Sequence, residues 1–165
     1  LYAWSSLGLR RLPYGLALRP TKAFEHITKY PWHGASLDFE FGTTTSNLAL
    51  EIDGKIVYGT LQIPEKYISE KTSHKIRLIS DVKVRPLLLR SHVRLDDVKE
   101  NESSITYYFT AFGIASLTFS LPIKNAILAD DTGHSIPYTW QESNGLNICC
   151  FEHFGNASLT VATHY

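Results

Sequence analysis

The stretch "SITYYFTAFGIASLTFSL", residues 104–121, decides the fold class. Ile105, Tyr107, Phe109 and Ala111 recur at every second position, and Leu117, Phe119 and Leu121 do the same further on. A helix gathers residues three and four apart, whereas a strand sends successive side chains to opposite faces of a sheet. The segment is therefore β. It is too long for one ordinary strand, so Gly113 between its halves is read as a bend or bulge. Tyr108 and Phe112 fall on the face opposite Tyr107 and Phe109, which makes both faces apolar and predicts that both are covered.

The same period runs through most of the chain after Ala35. In "ASLDFEF" (35–41), Leu37, Phe39 and Phe41 alternate with Ser36, Asp38 and Glu40. "NLALEIDGKIVYGTLQI" (47–63) places Leu48, Leu50 and Ile52 on one face and Asp53-Gly54 at its centre, the dipeptide of a two-residue hairpin. "HKIRLISDVKV" (74–84) sets Ile76, Leu78, Val82 and Val84 against Lys75, Arg77, Asp81 and Lys83. Past a kink at Pro86, Leu87, Leu89, Val93 and Leu95 oppose Arg90, His92 and Arg94. "DDVKENES" (96–103) reads as an acidic turn. Further strands are expected near 123–128, 135–141, 146–151 and 157–162, separated by Asp-Thr-Gly, Ser-Asn-Gly and Phe-Gly-Asn. This rhythm specifies an all-β fold, an antiparallel β-sandwich or flattened β-barrel.

Helical pattern is scarce. Thr21 can cap a short helix through Tyr30, ended by Pro31, and Pro64 can open a turn or two in "IPEKYISEK" (63–71). Residues 1–34 form a basic N-terminal strap, with Arg10, Arg11, Arg19 and Lys22 unopposed by acid up to residue 24. Tyr2, Trp4 and Tyr14 lie among them, as in a segment packed on a partner or on a membrane surface. Residues 35–165 form a single antiparallel β domain, with no repeat or linker to justify another.

The 165 residues can bury about 70% of the surface of the unfolded chain without a metal or disulfide. Sixteen basic and sixteen acidic residues balance, which excludes a strongly basic nucleic-acid module. No run of about 18 apolar residues is present, so no helical span is expected. The absence of Met and the leucine at position 1 are those of a processed form or an excised piece. Cys149 and Cys150 are adjacent, so a strand points them to opposite faces. Asn101-Glu-Ser103 and Asn156-Ala-Ser158 match the glycosylation pattern in expected turns, pointing toward a secretory lumen or the cell exterior, with an organelle as the alternative.

Asp131-Thr132-Gly133 resembles the catalytic loop of retropepsin-type aspartic proteases over these three residues. That chemistry needs two carboxylates sharing a proton, and no second copy of the motif exists. In that family a flap hairpin and an apolar-apolar-Gly turn follow the motif, and only 32 residues follow Gly133. The triplet is read as a hairpin loop.

The seven histidines are scattered without metal-ligand spacing, and nucleophile elbows, phosphate loops and dinucleotide fingerprints are absent, so no metal or other cofactor is expected. Lys75, Arg77, Lys83, Arg85, Arg90, His92 and Arg94 would form an anion-binding patch if their strands were neighbours; a solvated face balanced by Asp81, Asp96, Asp97 and Glu100 is the plainer reading. No aromatic interleaving on that face suits base stacking, so nucleic acid is not expected as a partner.

Trp32, Tyr107, Tyr108, Phe112, Tyr138 and Trp140 supply a candidate ligand or partner surface. The leading reading is a non-catalytic interaction domain, a piece or subunit of a larger protein or assembly, meeting a protein partner. An alternative is a binder of a small apolar or sugar ligand; another is a hydrolase whose site gathers distant residues such as Asp131, His92 and His134.

Overall fold

The computed structural model describes residues 7–19, 25–42, 47–69 and 72–163. Its strands run in the order β1 (Leu9–Leu12), β2 (Gly15–Leu18), β3 (His26–Trp32), β4 (Ala35–Glu40), β5 (Leu48–Ile52), β6 (Lys55–Val57), β7 (Gln62–Pro64), β8 (Ser73–Ser80), β9 (Leu88–Ser91), β10 (Arg94–Glu100), β11 (Ser104–Phe119), β12 (Ala126–Asp130), β13 (Tyr138–Ser143) and β14 (Leu146–Ala162). A 3-10 turn, Glu65–Tyr67, follows Pro64. The protein is all-β, a sandwich built from three sheets, and none of the described sheets closes into a barrel.

β11 and β14 form the spine. They pair antiparallel from Ser104↔Ala162 to Phe119↔Asn147 without a break in register. β10 and β9 flank β11, while β12 and β13 flank β14. Because the register never slips, one parity faces inward throughout: Ile105, Tyr107, Phe109, Ala111, Ala115, Leu117 and Phe119 are all buried. Gly113 therefore marks no bulge. It and Gly155 take φ of +121° and +108°, values that a residue with a side chain rarely adopts, and the pairing continues through both. For the same reason Phe154-Gly155-Asn156, expected as a separator, lies inside one strand of 17 residues.

The second sheet orders its strands β3-β4-β8-β5-β6. Leu37, Phe39 and Phe41 are buried as the alternation requires, as are Leu48, Leu50 and Ile52. Asp53 and Gly54 both have positive φ, closing the expected hairpin. The β4–β8 pair is parallel, a local exception to the antiparallel pattern. In the third sheet, β1-β2-β7, the first two strands lie where an irregular strap was expected, and Leu9, Leu16 and Leu18 join the same buried cluster as Phe109 and Phe119. The helix expected to run through Tyr30 is instead β3 over His26–Trp32, held by Tyr30↔Leu37 and Trp32↔Ala35; Thr21 to Phe24 lie outside the described residues.

Between β8 and β9 the expected alternation fails. Val82 and Val84 are exposed, and Leu88 is fully buried, because residues 81–87 form a connection, not a strand. Arg85 organises that connection. Its guanidinium bonds Asp81 and reaches Glu100 at 2.9 Å, with the Tyr58 ring beneath it at 4.3 Å. Asp96 to Glu100, expected as a turn, belong to β10, and the chain reverses at Asn101–Ser103.

Asp97 holds the 3-10 turn to the spine sheet. Tyr67 Oη donates to its Oδ1 at 2.5 Å and Lys66 Nζ to its Oδ2 at 2.6 Å. Burial alone would raise the Asp97 pKa, but the hydrogen bonds from Lys66 and Tyr67 outweigh it and hold the carboxyl below its usual range. Burial first, and then the bond to Asp97, push the Tyr67 phenol above its usual range.

Two measurements test this architecture. In urea unfolding, Phe109→Ala, which removes a ring packed 5.5 Å from Phe151, is expected to cost about 3–5 kcal/mol, while Ile114→Ser on the opposite face stays within about 0.5 kcal/mol. Wild-type stability should decline as pH rises past about 10 more steeply than that of Tyr67→Phe. Below about pH 4 it should decline more steeply than that of Asp97→Asn, because a depressed carboxyl loses its contribution as it protonates.

Candidate interaction surface

The outward parity of the spine is mostly short and polar. Thr106 and Thr160 bond each other across the ladder at 3.0 Å. Arg94 Nε pairs with Asp96 at 2.7 Å, and its Nη2 donates to Thr110 Oγ1 at 3.0 Å. That hydroxyl stands 2.8 Å from Asp96 Oδ2 and 2.9 Å from Asn156 Oδ1. Neutral hydroxyls and a paired arginine are what a solvated sheet face carries.

The centre of the ribbon departs from this pattern. Phe112 is 61% exposed, Ile114 88% and Phe154 74%. Phe112 and Phe154 sit directly opposite each other, and Ile114 is the next outward residue of β11. The Phe154 ring lies over Gly113, 3.3 Å from where a Cβ on that glycine would stand. An aromatic ring thus covers the backbone that glycine leaves bare, and a larger residue at 113 would displace it.

Flanking strands are interrupted at the same place. β14 pairs with β12 through Ala157 to Val161 and with β13 through Leu146 to Phe151, so among the described residues Glu152–Asn156 pair only with β11. On the other edge, β10 ends its pairing at Thr110 and β9 begins at Leu117. Apolar rings and unpaired strand edge therefore coincide. Beside Phe112 opens a cleft of about 310 Å3, lined by Leu12, Pro13 and Tyr14 of the β1–β2 hairpin and by His92, Val93 and Arg94.

The expected aromatic set is not one surface. Trp32 and Tyr107 are core residues, 1% and 0% exposed, and Tyr107 Oη donates to Gly59 O at 2.7 Å. Tyr138 Oη donates to Ala126 O, and the half-buried Trp140 packs on Tyr138 and Phe119. Only Tyr108 and Phe112 reach the outer face, where Lys99 lies over the Tyr108 ring, so the expected cover is absent over this part of the described strand. Ile114 and Phe154 were missed; the visible signal was their parity with Phe112 along an unbroken ladder.

The expected anion patch is likewise divided. Lys75 and Arg77 lie on β8, whose neighbours are β4 and β5, while Arg90 lies on β9, Arg94 on β10 and His92 between them, in another sheet. Arg77 is paired with Glu40 and Glu51, Arg85 with Asp81 and Glu100, and Arg94 with Asp96. Opposing carboxylates thus neutralise three of the seven locally.

Asp130, not Asp131, organises the Asp-Thr-Gly loop. Its Oδ1 accepts from Thr132 N, Thr132 Oγ1 and His134 N at 2.7–2.9 Å, and Asp130 N donates to His134 O, closing a small hairpin. The Thr132 hydroxyl, with the His134 backbone N–H, holds the Asp130 carboxyl below its ordinary pKa. His92 meets Ser116 of β11, whereas His134 meets Thr132 within its own loop. Among the described residues no three His, Cys, Asp or Glu side chains gather closely enough to hold a metal ion. No described helix is long and apolar enough to cross a membrane.

Asn101 occupies an exposed turn and accepts from Ser103 N and Ser104 N, whereas Asn156 lies within β14, not in the turn expected for it. Cys149 and Cys150 are both free, one buried and one half-buried, as alternation requires. Burial, and then the neighbouring Cys150, push the Cys149 thiol up to about 12.

Thiol titration near pH 8 should modify Cys150 first and leave Cys149 unreacted until the protein unfolds. Asp131→Ala should leave the melting temperature unchanged, whereas Asp130→Ala lowers it by removing the acceptor that ties Thr132 to His134. Comparison of the chain with known protein families, with curated proteins and with solved structures finds no match.

Proposed function

We propose that this protein is a non-catalytic β-sandwich interaction domain that docks a partner chain on the outer face of β11 and β14. One observation carries the reading: Phe112, Ile114 and Phe154 form a contiguous exposed apolar patch at the centre of the outward face of the spine. Burying such a side chain fully stabilises a complex by about 1.5–3 kcal/mol, and aromatic anchors of this kind dominate interface energetics. Phe154 also covers the Gly113 backbone, but Phe112 and Ile114 remain largely in water, where burial by a partner would stabilise them.

The interrupted edge at Glu152–Asn156 supports the same reading, since an extended segment could add to it through backbone hydrogen bonds while its side chains meet the rings. The N-terminal basic segment was the expected contact, but in the described part Arg11 Nε donates to Tyr30 Oη and its Nη2 to Pro31 O, so this arginine fastens β1 to β3.

Affinity capture with quantitative mass spectrometry tests the proposal. A double variant, Phe112→Ser with Phe154→Ser, should stay folded, losing far less stability than Phe109→Ala, and lose specific proteins by tenfold or more. Val82→Ser, at a residue 98% exposed elsewhere, should retain them. Identical retention by the wild type and the double variant would overturn the reading.

A further inference from the structure

The charges that flank the Phe112–Phe154 pair are sorted by sign. The order β10-β11-β14-β12 places these two rings at the centre, with one outer strand on each side. On the β10 side, Arg94 is level with Thr110 and Lys99 with Thr106, both on the outward parity. Arg90 of β9, level with Thr118, is exposed on the same side. These three cations face Asp96, which pairs with Arg94, while the nearby Asp97 is taken up by Lys66 and Tyr67. On the β14–β12 side stand Glu152 and Asp131, both exposed, and Asp130, engaged within its own loop.

The levels along the strands also match. Asp130 is opposite Ala157, so Asp131 comes level with Asn156, which is opposite Thr110 and hence level with Arg94. Arg94 and Asp131 line one shallow depression from opposite banks, with Tyr108 and Asn156 between them. A face with an apolar centre, a positive bank and a negative bank is complementary to itself.

We propose that the chain docked on this face is a second copy of the same protein, related by a two-fold axis running along the strands between β11 and β14. This inference rests on the reading of the face as a docking surface and names its occupant. With two sheets stacked face to face, such an axis lays β11 on β14 and β10 on β12. Each residue of β11 then meets, in the other copy, the residue that is its own ladder partner. Phe112 meets Phe154 twice, once on each side of the axis. Arg94 of each copy stands over Asp131 of the other. A two-fold axis across the strands would instead lay β10 on β10 and β12 on β12, cation on cation and acid on acid. Charge thus selects the first arrangement. Glu152 is exposed where β14 lacks an outer neighbour among the described residues, so its carboxylate keeps its water at the edge of the contact.

Sedimentation equilibrium of the full chain tests the proposal. The wild type should form a dimer at concentrations up to about 100 µM. Phe112→Ser, which leaves Phe154 over Gly113, should weaken that dimer by about tenfold or more. Asp131→Lys, at an exposed turn position, should weaken it by about the same factor, because it sets cation against cation at two symmetry-related places. A wild type that stays monomeric overturns the second copy as occupant. Capture of another chain by the wild type, lost in the double serine variant, would in that case still uphold the docking face itself. A dimer insensitive to Phe112→Ser forms elsewhere on the molecule and overturns the proposal. One that Asp131→Lys leaves unchanged or tightens refutes the axis along the strands.

Discussion

The unbroken register between β11 and β14 is the constraint from which the rest of the molecule follows. Sixteen consecutive residue pairs, in strands about three times the ordinary length, fix which parity of each strand faces the core. A slip of one residue would turn Tyr107, Phe109 and Phe119 into water and bring Thr106, Tyr108 and Ser116 inside. The inner parity is so uniformly apolar that no one-residue slip competes. β9, β10, β12 and β13 then add to the two edges of a ribbon whose faces are already assigned.

Gly113 and Gly155 lie near the middle of this ribbon and leave its parity undisturbed, because both take positive φ while their neighbours stay paired. Small Ala111 and Ala115 lie on the inward parity beside them and large Phe112, Ile114 and Phe154 on the outward one. The flanking strands stop pairing on both edges at this level. Rings and backbone edge are thus left uncovered together. Exposed strand edges beside apolar side chains are an association hazard that natural sheets usually suppress with charge or proline. Glu152 next to Phe154 is the charged residue at this edge, and β14 here carries no proline.

Strand identity was legible because it depends on local alternation. The faces of Leu37 to Phe41, of Leu48 to Ile52 and of Ile105 to Phe119 follow from parity alone, and Asp53-Gly54 named its own turn. What was not legible depends on distant partners. His26 to Tyr30 resemble a short helix by themselves and become strand because Leu37 and Phe39 offer an edge to pair with. Val82 and Val84 alternate correctly yet lie outside any sheet, since the buried Arg85 pairs with Asp81 and Glu100 and fixes the connection instead. Likewise, the basic residues of β8 and β10 could be grouped only on the supposition that their strands were neighbours. Of the surface, Tyr108 and Phe112 were visible on the outward parity, but their exposure was not, because exposure depends on where β9 and β10 stop.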